Sequence, residues 1–272
     1  MVGSRMENTK KRYKELFREY ISSHDVDDIS MMNYFHKLFE ECDVKKNKKF
    51  YRYRPFNEYT LTEIINKKIY MSKLSDFDDV YEGRYLIDDN DIQRGVNRGL
   101  IDVCNDYSQK HIRVTCFSTD KKNIPMWYYY ANKHTGICAE YKFEDFSFPK
   151  NVVFLPVIYP LRREVSEYKY IPNVRQRGFG AIVNSLIKQR AWSFENEWRA
   201  IKLDESSDPI YLSLKMSKIH IGANASKESI DVIKNLIDKN GLDIQIGEMT
   251  MTETGIESFS LGSIPQEYKI KI

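Results

Sequence analysis

Segments with the 3.6-residue period of a helix and segments with the two-residue period of a strand follow one another along this chain in no regular order. A doubly wound sheet needs strands and helices in steady alternation, which is missing here, so the pattern predicts an α+β fold. Helical spacing covers residues 9–22, with Tyr13, Leu16, Phe17 and Tyr20 on one stripe, and residues 28–41, with Ile29, Met32, Phe35, Leu38 and Phe39. A charged loop at 45–49 closes this part. Residues 50–54 then form a strand that Pro55 stops, followed by a short helix at 61–67 and a strand at 68–72. A helix is expected at 87–109, and residues 112–118 make the clearest strand of the chain. Later helices are expected at 125–132, 179–188 and 227–239, with strands at 137–143, 152–159, 192–203, 210–214, 219–221 and 243–249. We read residues 1–48 as a helical extension and 49–272 as one α+β domain.

Residues 192–199 are the densest in chemistry, with two carboxylates, a guanidinium and two indoles. On a strand, Glu195, Glu197 and Arg199 would share one face and Trp192, Phe194 and Trp198 the other. Two carboxylates at that spacing repel unless cations or a ligand hold them, which is a common origin of a reactive acid. The plain alternative is an edge strand with a solvated ionic face.

Charge narrows the partners. Forty-two Lys and Arg against 39 Asp and Glu leave a net charge of +3, too balanced to demand nucleic acid or a membrane. No apolar run is long enough to span a bilayer, and the first residues lack the apolar segment of a signal peptide, so a cytoplasmic protein is expected. The four cysteines, Cys42, Cys104, Cys116 and Cys138, are widely spaced and read as reduced and mostly buried. The five histidines show no metal-ligand spacing. Asp76, Asp78 and Asp79 cluster in a turn, where acids most often cap backbone N–H groups, so no metal is expected.

Three strand-like segments carry polar residues that stand out. Arg52 and Arg54, flanking Tyr53, share a face, and a guanidinium fork matches a pyrophosphate. Ser118 and Thr119 end the second strand, and Glu195 and Glu197 lie on the third. A glutamate there would stabilise a cationic sugar centre. The aromatic run from Trp127 to Tyr130 offers stacking faces, with Tyr130 at the edge of its helix face beside Trp127. These are parts of a nucleotide site with neither G-x-G-x-x-G nor a P-loop. Each also has a plain structural reading: strand arginines pair with acids, hydroxyls cap helices, aromatic runs fill cores.

At these residues the chain resembles a known family. Tyr51-Arg52-Tyr53-Arg54, Leu61-Thr62-Glu63-Ile64-Ile65, Ile69-Tyr70-Met71-Ser72 and the acidic block from Phe77 to Glu82 look like the opening of the bacterial domain of unknown function 2971. Cys116-Phe117-Ser118, Met126-Trp127, Tyr130-Ala131, the block from Gly136 to Tyr141, then Trp192, Glu195, Glu197-Trp198-Arg199 and residues 219–223 continue it in order. Asp78 and Val80 depart from the family's Asn and Pro. That family is itself similar to ADP-ribosyltransferase-like toxins and effectors. The resemblance implies a split, mainly antiparallel sheet with packed helices, and NAD as substrate. Arg54 or Arg52 would hold its phosphates, Ser118 would support the nicotinamide ribose, and Glu197 would be catalytic. Glu195 would align or deprotonate a macromolecular acceptor. An antiphage or toxin effector, with a possible partner protein or antitoxin, is implied as well. The alternatives are a non-catalytic module that senses a nucleotide or nucleic acid, and a metal-dependent nuclease using Asp76, Asp78, Asp79 and the glutamates, which lacks a basic face.

Overall fold

The computed structural model describes residues 2–22, 28–41, 49–85, 87, 89–93, 95–168, 170, 176–265 and 268. Cys42 and most of the expected charged loop lie outside them. A nine-stranded sheet organises the chain. Its main path runs β11 (Gly255–Ser260), β10 (Gln245–Thr252), β9 (Met216–Ile221), β5 (Ile137–Lys142), β1 (Lys49–Arg54), β4 (Ile112–Ser118), β7 (Glu197–Leu203) and β6 (Val152–Pro156). The two-residue β3 (Ser72–Lys73) also pairs with β4, and β2 (Lys68–Tyr70) pairs with β8 (Tyr211–Ser213) in a separate ribbon. The expected strand at 68–72 is thus divided between two sheets.

β9 and β10 run parallel, and α8 (Lys227–Lys239) supplies the crossover that a parallel pair needs. Ser226 caps α8, its side chain accepting from Ser229 N. The other ladders along the path are antiparallel. The architecture is α+β, as the segment order predicts, and its sheet is mainly antiparallel. The late ribbon partner β11 is an addition to the sequence reading, and the expected helix at 87–109 divides into α4 (Asp89–Gln93) and α5 (Arg98–His111). The break holds Gly95 at φ 89° and Asn97, whose side chain caps α5 by accepting from Leu100 N.

Register fixes the faces. Tyr51 is opposite Ser118, and Ser118 opposite Glu197; Tyr53 is opposite Cys138, and Cys138 opposite His220. Side chains alternate along a strand, so Tyr51, Tyr53, Cys116, Ser118, Glu197, Arg199, Glu140 and His220 share one face. Phe50, Arg52, Arg54, Phe117 and Trp198 share the other. On the first face α6 (Ile124–Tyr129) lays Met126 and Trp127 against Tyr51, Tyr53, Cys138, Met249 and Ile256. The larger core gathers Phe50, Phe117, Phe154 and Trp198 with residues of α5 and of α7 (Arg177–Asn184). α1 (Val2–Ser22) and α2 (Asp28–Glu41) join this core through Tyr13, Phe17, Phe35 and Leu38. Phe35 stacks on Phe179 of α7, and the Tyr13 hydroxyl donates to Pro156 O. The helical extension thus shares the core of the rest of the chain.

Candidate functional site

The strand expected at 192–203 is shorter than its periodicity suggests. Arg190–Glu195 is a 3₁₀ helix, and Asn196 takes φ 46° before β7 begins at Glu197. Asn tolerates the left-handed region better than most residues, so the chain turns there. Glu195 therefore does not share a strand face with Glu197, and Phe194 joins the Trp127 side while Trp198 lies in the larger core. The two carboxylates meet all the same, because the turn brings Glu195 back over β7.

They meet in a buried ionic cluster. Arg199, fully buried, donates from Nε to Glu197 Oε1 at 2.8 Å and from Nη2 to Glu197 Oε2 at 3.0 Å. Its Nη1 reaches Glu82 Oε1 and Ser185 O, each at 2.5 Å. Lys188 Nζ donates to Glu195 Oε2 at 2.7 Å and stands 3.6 Å from both Glu82 Oε2 and Glu197 Oε2. The Tyr130 hydroxyl donates to Glu195 Oε1 at 2.5 Å. Three carboxylates thus face two cations, and full ionisation would leave one uncompensated negative charge in a buried place.

The cost falls on Glu195. Burial first, then the charge of Glu197, push its carboxyl up to about 7, against the pull of Lys188 and Tyr130. Burial acts on Glu197 too, but Arg199 and Lys188 outweigh it and hold that carboxyl at about 2. Lys188 is raised, because Glu197, Glu195 and Glu82 together overcome its burial. The Cys116 thiol lies well above its ordinary range through burial and the Glu197 charge. Glu195 therefore exchanges a proton near neutrality while Glu197 stays an anion.

A cavity of ≈ 420 Å³ opens beside this cluster, with Glu82 and Lys188 in its wall. Arg84, Arg162 and Arg190 also line it, all exposed, together with Tyr168 and Tyr170. Glu82 Oε2 is buried and has no hydrogen-bond partner. Lys188 Nζ, 3.6 Å away, compensates its charge.

The residues singled out from the sequence are distributed as follows. Ser118 is buried, and its Oγ donates to Glu195 O at 2.7 Å, fixing the 3₁₀ turn. Trp127 is fully buried, with Nε1 donating to Lys121 O at 2.8 Å and its ring edge-on to Tyr53. Tyr53 is buried too, its hydroxyl donating to Asp120 O at 2.6 Å. Tyr130 lies at the core edge, half exposed, in contact with Glu195. Arg52 and Arg54 are elsewhere. They point to the opposite face of the sheet from Ser118 and Glu197, so the expected convergence of Arg54 with those two residues does not occur. The pleat is the reason: residue 51 faces Ser118, so 52 and 54 must face away. Arg52 is buried and pairs with Glu63 at 2.7 Å, and Tyr141 donates to the same carboxylate at 2.9 Å. Arg54 Nε is 3.8 Å from Glu63, and burial, then the neighbouring Arg52, lower its guanidinium. The acidic turn behaves as caps do, with Asp76 accepting from Lys73 N and Asp79 from Tyr81 N.

Glu82, Lys188 and the three cavity arginines are not among the site residues singled out from the sequence. Glu82 did stand in the acidic block, and Lys188 ends an apolar helical run where a lone cation is conspicuous. No local pattern marks Arg84, Arg162 or Arg190. Among the described residues no helix is long and apolar enough to cross a membrane, and no group of three or more His, Cys, Asp or Glu could hold a metal. No protein-family model, curated protein or solved structure matches the chain.

Proposed function

We propose that the protein transfers ADP-ribose from NAD to a macromolecular acceptor, using the cavity beside the Glu82–Lys188–Glu195–Glu197–Arg199 cluster. The observation that carries this reading is a cavity flanked by Arg84, Arg162 and Arg190 with Glu82 and Lys188 of the ionic cluster in its wall. The arginines would meet the pyrophosphate, the part first expected of Arg52 and Arg54, with the ribose towards Glu82. NAD is the phosphate-bearing sugar that the family resemblance favours, and with it come the split sheet of the ADP-ribosyltransferase type and an effector role in bacterial conflict.

In the reaction the bond between nicotinamide nitrogen and ribose C1′ breaks, and the pair of electrons leaves with neutral nicotinamide. The negative charges of Glu197 and Glu82 favour the cationic sugar centre. The acceptor nucleophile bonds to C1′ and loses its proton to Glu195, whose carboxyl at about 7 suits general base work at neutral pH. Tyr130 and Lys188 orient that carboxyl.

A second reading, a sensing module that binds the nucleotide without turnover, is favoured by the saturated pairing of buried Glu197 with Arg199. Incubation with NAD and cell extract, with nicotinamide release and label on macromolecules as readouts, separates the two. Turnover that falls about 10²-fold or more in Glu195→Gln supports the enzyme. Calorimetric binding of NAD that Arg162→Ala weakens, with no nicotinamide released, supports the sensor. Absence of both binding and turnover refutes the site.

A further inference from the structure

Four strands along the sheet from β7, a second polar constellation joins residues from β5, β9 and β11. His220 is fully buried. Its Nε2 lies 3.1 Å from Glu140 Oε2, and its Nδ1 lies 2.7 Å from Ser258 Oγ. The other Glu140 oxygen accepts from Lys49 Nζ at 2.8 Å. Burial opposes ionisation of Glu140, but the hydrogen bonds from His220 and Lys49 win and hold it at about 2. An ionised carboxylate only accepts, so Nε2 must carry the imidazole proton. Burial keeps His220 below its ordinary value in spite of Glu140, so the ring is neutral at pH 7 and Nδ1 is a free base. Ser258 must then be the donor. The order acid, imidazole, hydroxyl is that of a nucleophile with its general base and orienting carboxylate.

Gly247 makes the contact possible. It lies between the two strands, opposite His220 on β9 and Ser260 on β11. A Cβ there would come within 3.1 Å of Ser258 Oγ and 2.8 Å of Lys218 Cε. Without it, His220 reaches diagonally across β10 to the half-buried Ser258. The hydroxyl stands on the sheet's last strand along the main path. Lys121 and Lys218 are close enough to lower His220 further. With Lys49 and Glu140 they line a cavity of ≈ 400 Å³ that meets the constellation at Glu140 and not at His220 or Ser258.

We propose that Ser258 is a nucleophile for acyl transfer from small activated carboxylic esters, with His220 as general base and Glu140 as its orienting partner. Ser258 Oγ bonds to the ester carbonyl carbon as its proton passes to His220 Nδ1. The carbonyl electron pair moves onto oxygen to give a tetrahedral oxyanion. On collapse the ester C–O bond breaks, and the alkoxide leaves with the proton from His220. Water repeats the sequence and frees Ser258 and a carboxylic acid.

The test uses the full chain with a fluorophosphonate probe and with p-nitrophenyl acetate. The probe's P–F bond is exchanged for an O–P bond at an activated serine, so the adduct can be mapped by mass spectrometry. The expected result is an adduct on Ser258, its loss in Ser258→Ala, and p-nitrophenyl acetate hydrolysis lower by about 10²-fold or more in that variant. Ser258 is half-buried on a sheet-edge strand, so its alanine variant should keep the fold, as circular dichroism would verify. An unlabelled, folded parent protein, or equal labelling and hydrolysis in Ser258→Ala, would overturn the proposal.

Discussion

Glu195→Gln replaces a buried carboxyl that exchanges a proton near neutrality with an amide that cannot. In the unfolded chain this group releases its proton near 4.5; in the folded protein it keeps it up to about 7. Between those values the folded state binds more protons than the unfolded, so stability falls as pH rises. The contribution is fully present below about pH 4.5 and lost once pH has passed through about 7. At about 1.4 kcal/mol per pH unit, the loss across that window is about 3 kcal/mol. Glu197 behaves oppositely: held at about 2, it stabilises above its unfolded value and loses that only in strong acid. Urea unfolding at several values from about pH 5 to about pH 8 reads the effect directly. The parent protein should lose about 2.5 kcal/mol more than Glu195→Gln across that range. Parallel stability curves for the two proteins would refute the assignment of the titrating proton to Glu195.

Two further outcomes follow from the same cluster. Arg199→Met leaves Glu197 and Glu82 buried without their guanidinium, and should cost about 3–5 kcal/mol in urea unfolding; a loss under about 1 kcal/mol would show that Lys188 alone suffices. Tyr130→Phe removes the hydroxyl that donates to Glu195 Oε1, so the Glu195 carboxyl should move above 7 in a carbon-13 NMR titration, and an unchanged midpoint would contradict the contact.

Much of the architecture was legible in the order of residues. The stripes in α1, α2 and α8 and the alternation in β1, β4 and β5 are local signals, because a helix or strand shows its buried face at fixed spacing. α8 and β4 run over the residues their patterns predict. Local reading failed where a single backbone conformation decided the outcome. Asn196 at φ 46° ends the apparent strand, and nothing in the alternation of residues 192–199 announces it. Likewise β11 carries few apolar residues, and its pairing with β10 begins at Gly255, which takes φ 128° opposite Thr252.

The site divides along the same line. Sequence alone singled out Glu195, Glu197 and Ser118 as acids and a hydroxyl among apolar neighbours, and Tyr130 as a stacking ring; these do meet, Tyr130 through its hydroxyl. Their partners came from afar: Glu82 lies 117 positions from Arg199, and Glu140 lies 80 from His220. Arg54 matched the chemistry of a phosphate clamp yet belongs to the other face. Residue type and spacing determine which groups are reactive and which face of its own strand each occupies. Strand order and register, set by burial over the whole sheet, decide which face of one strand meets which face of another. Only that tertiary choice unites three carboxylates with two cations, and their crowding gives Glu195 its proton.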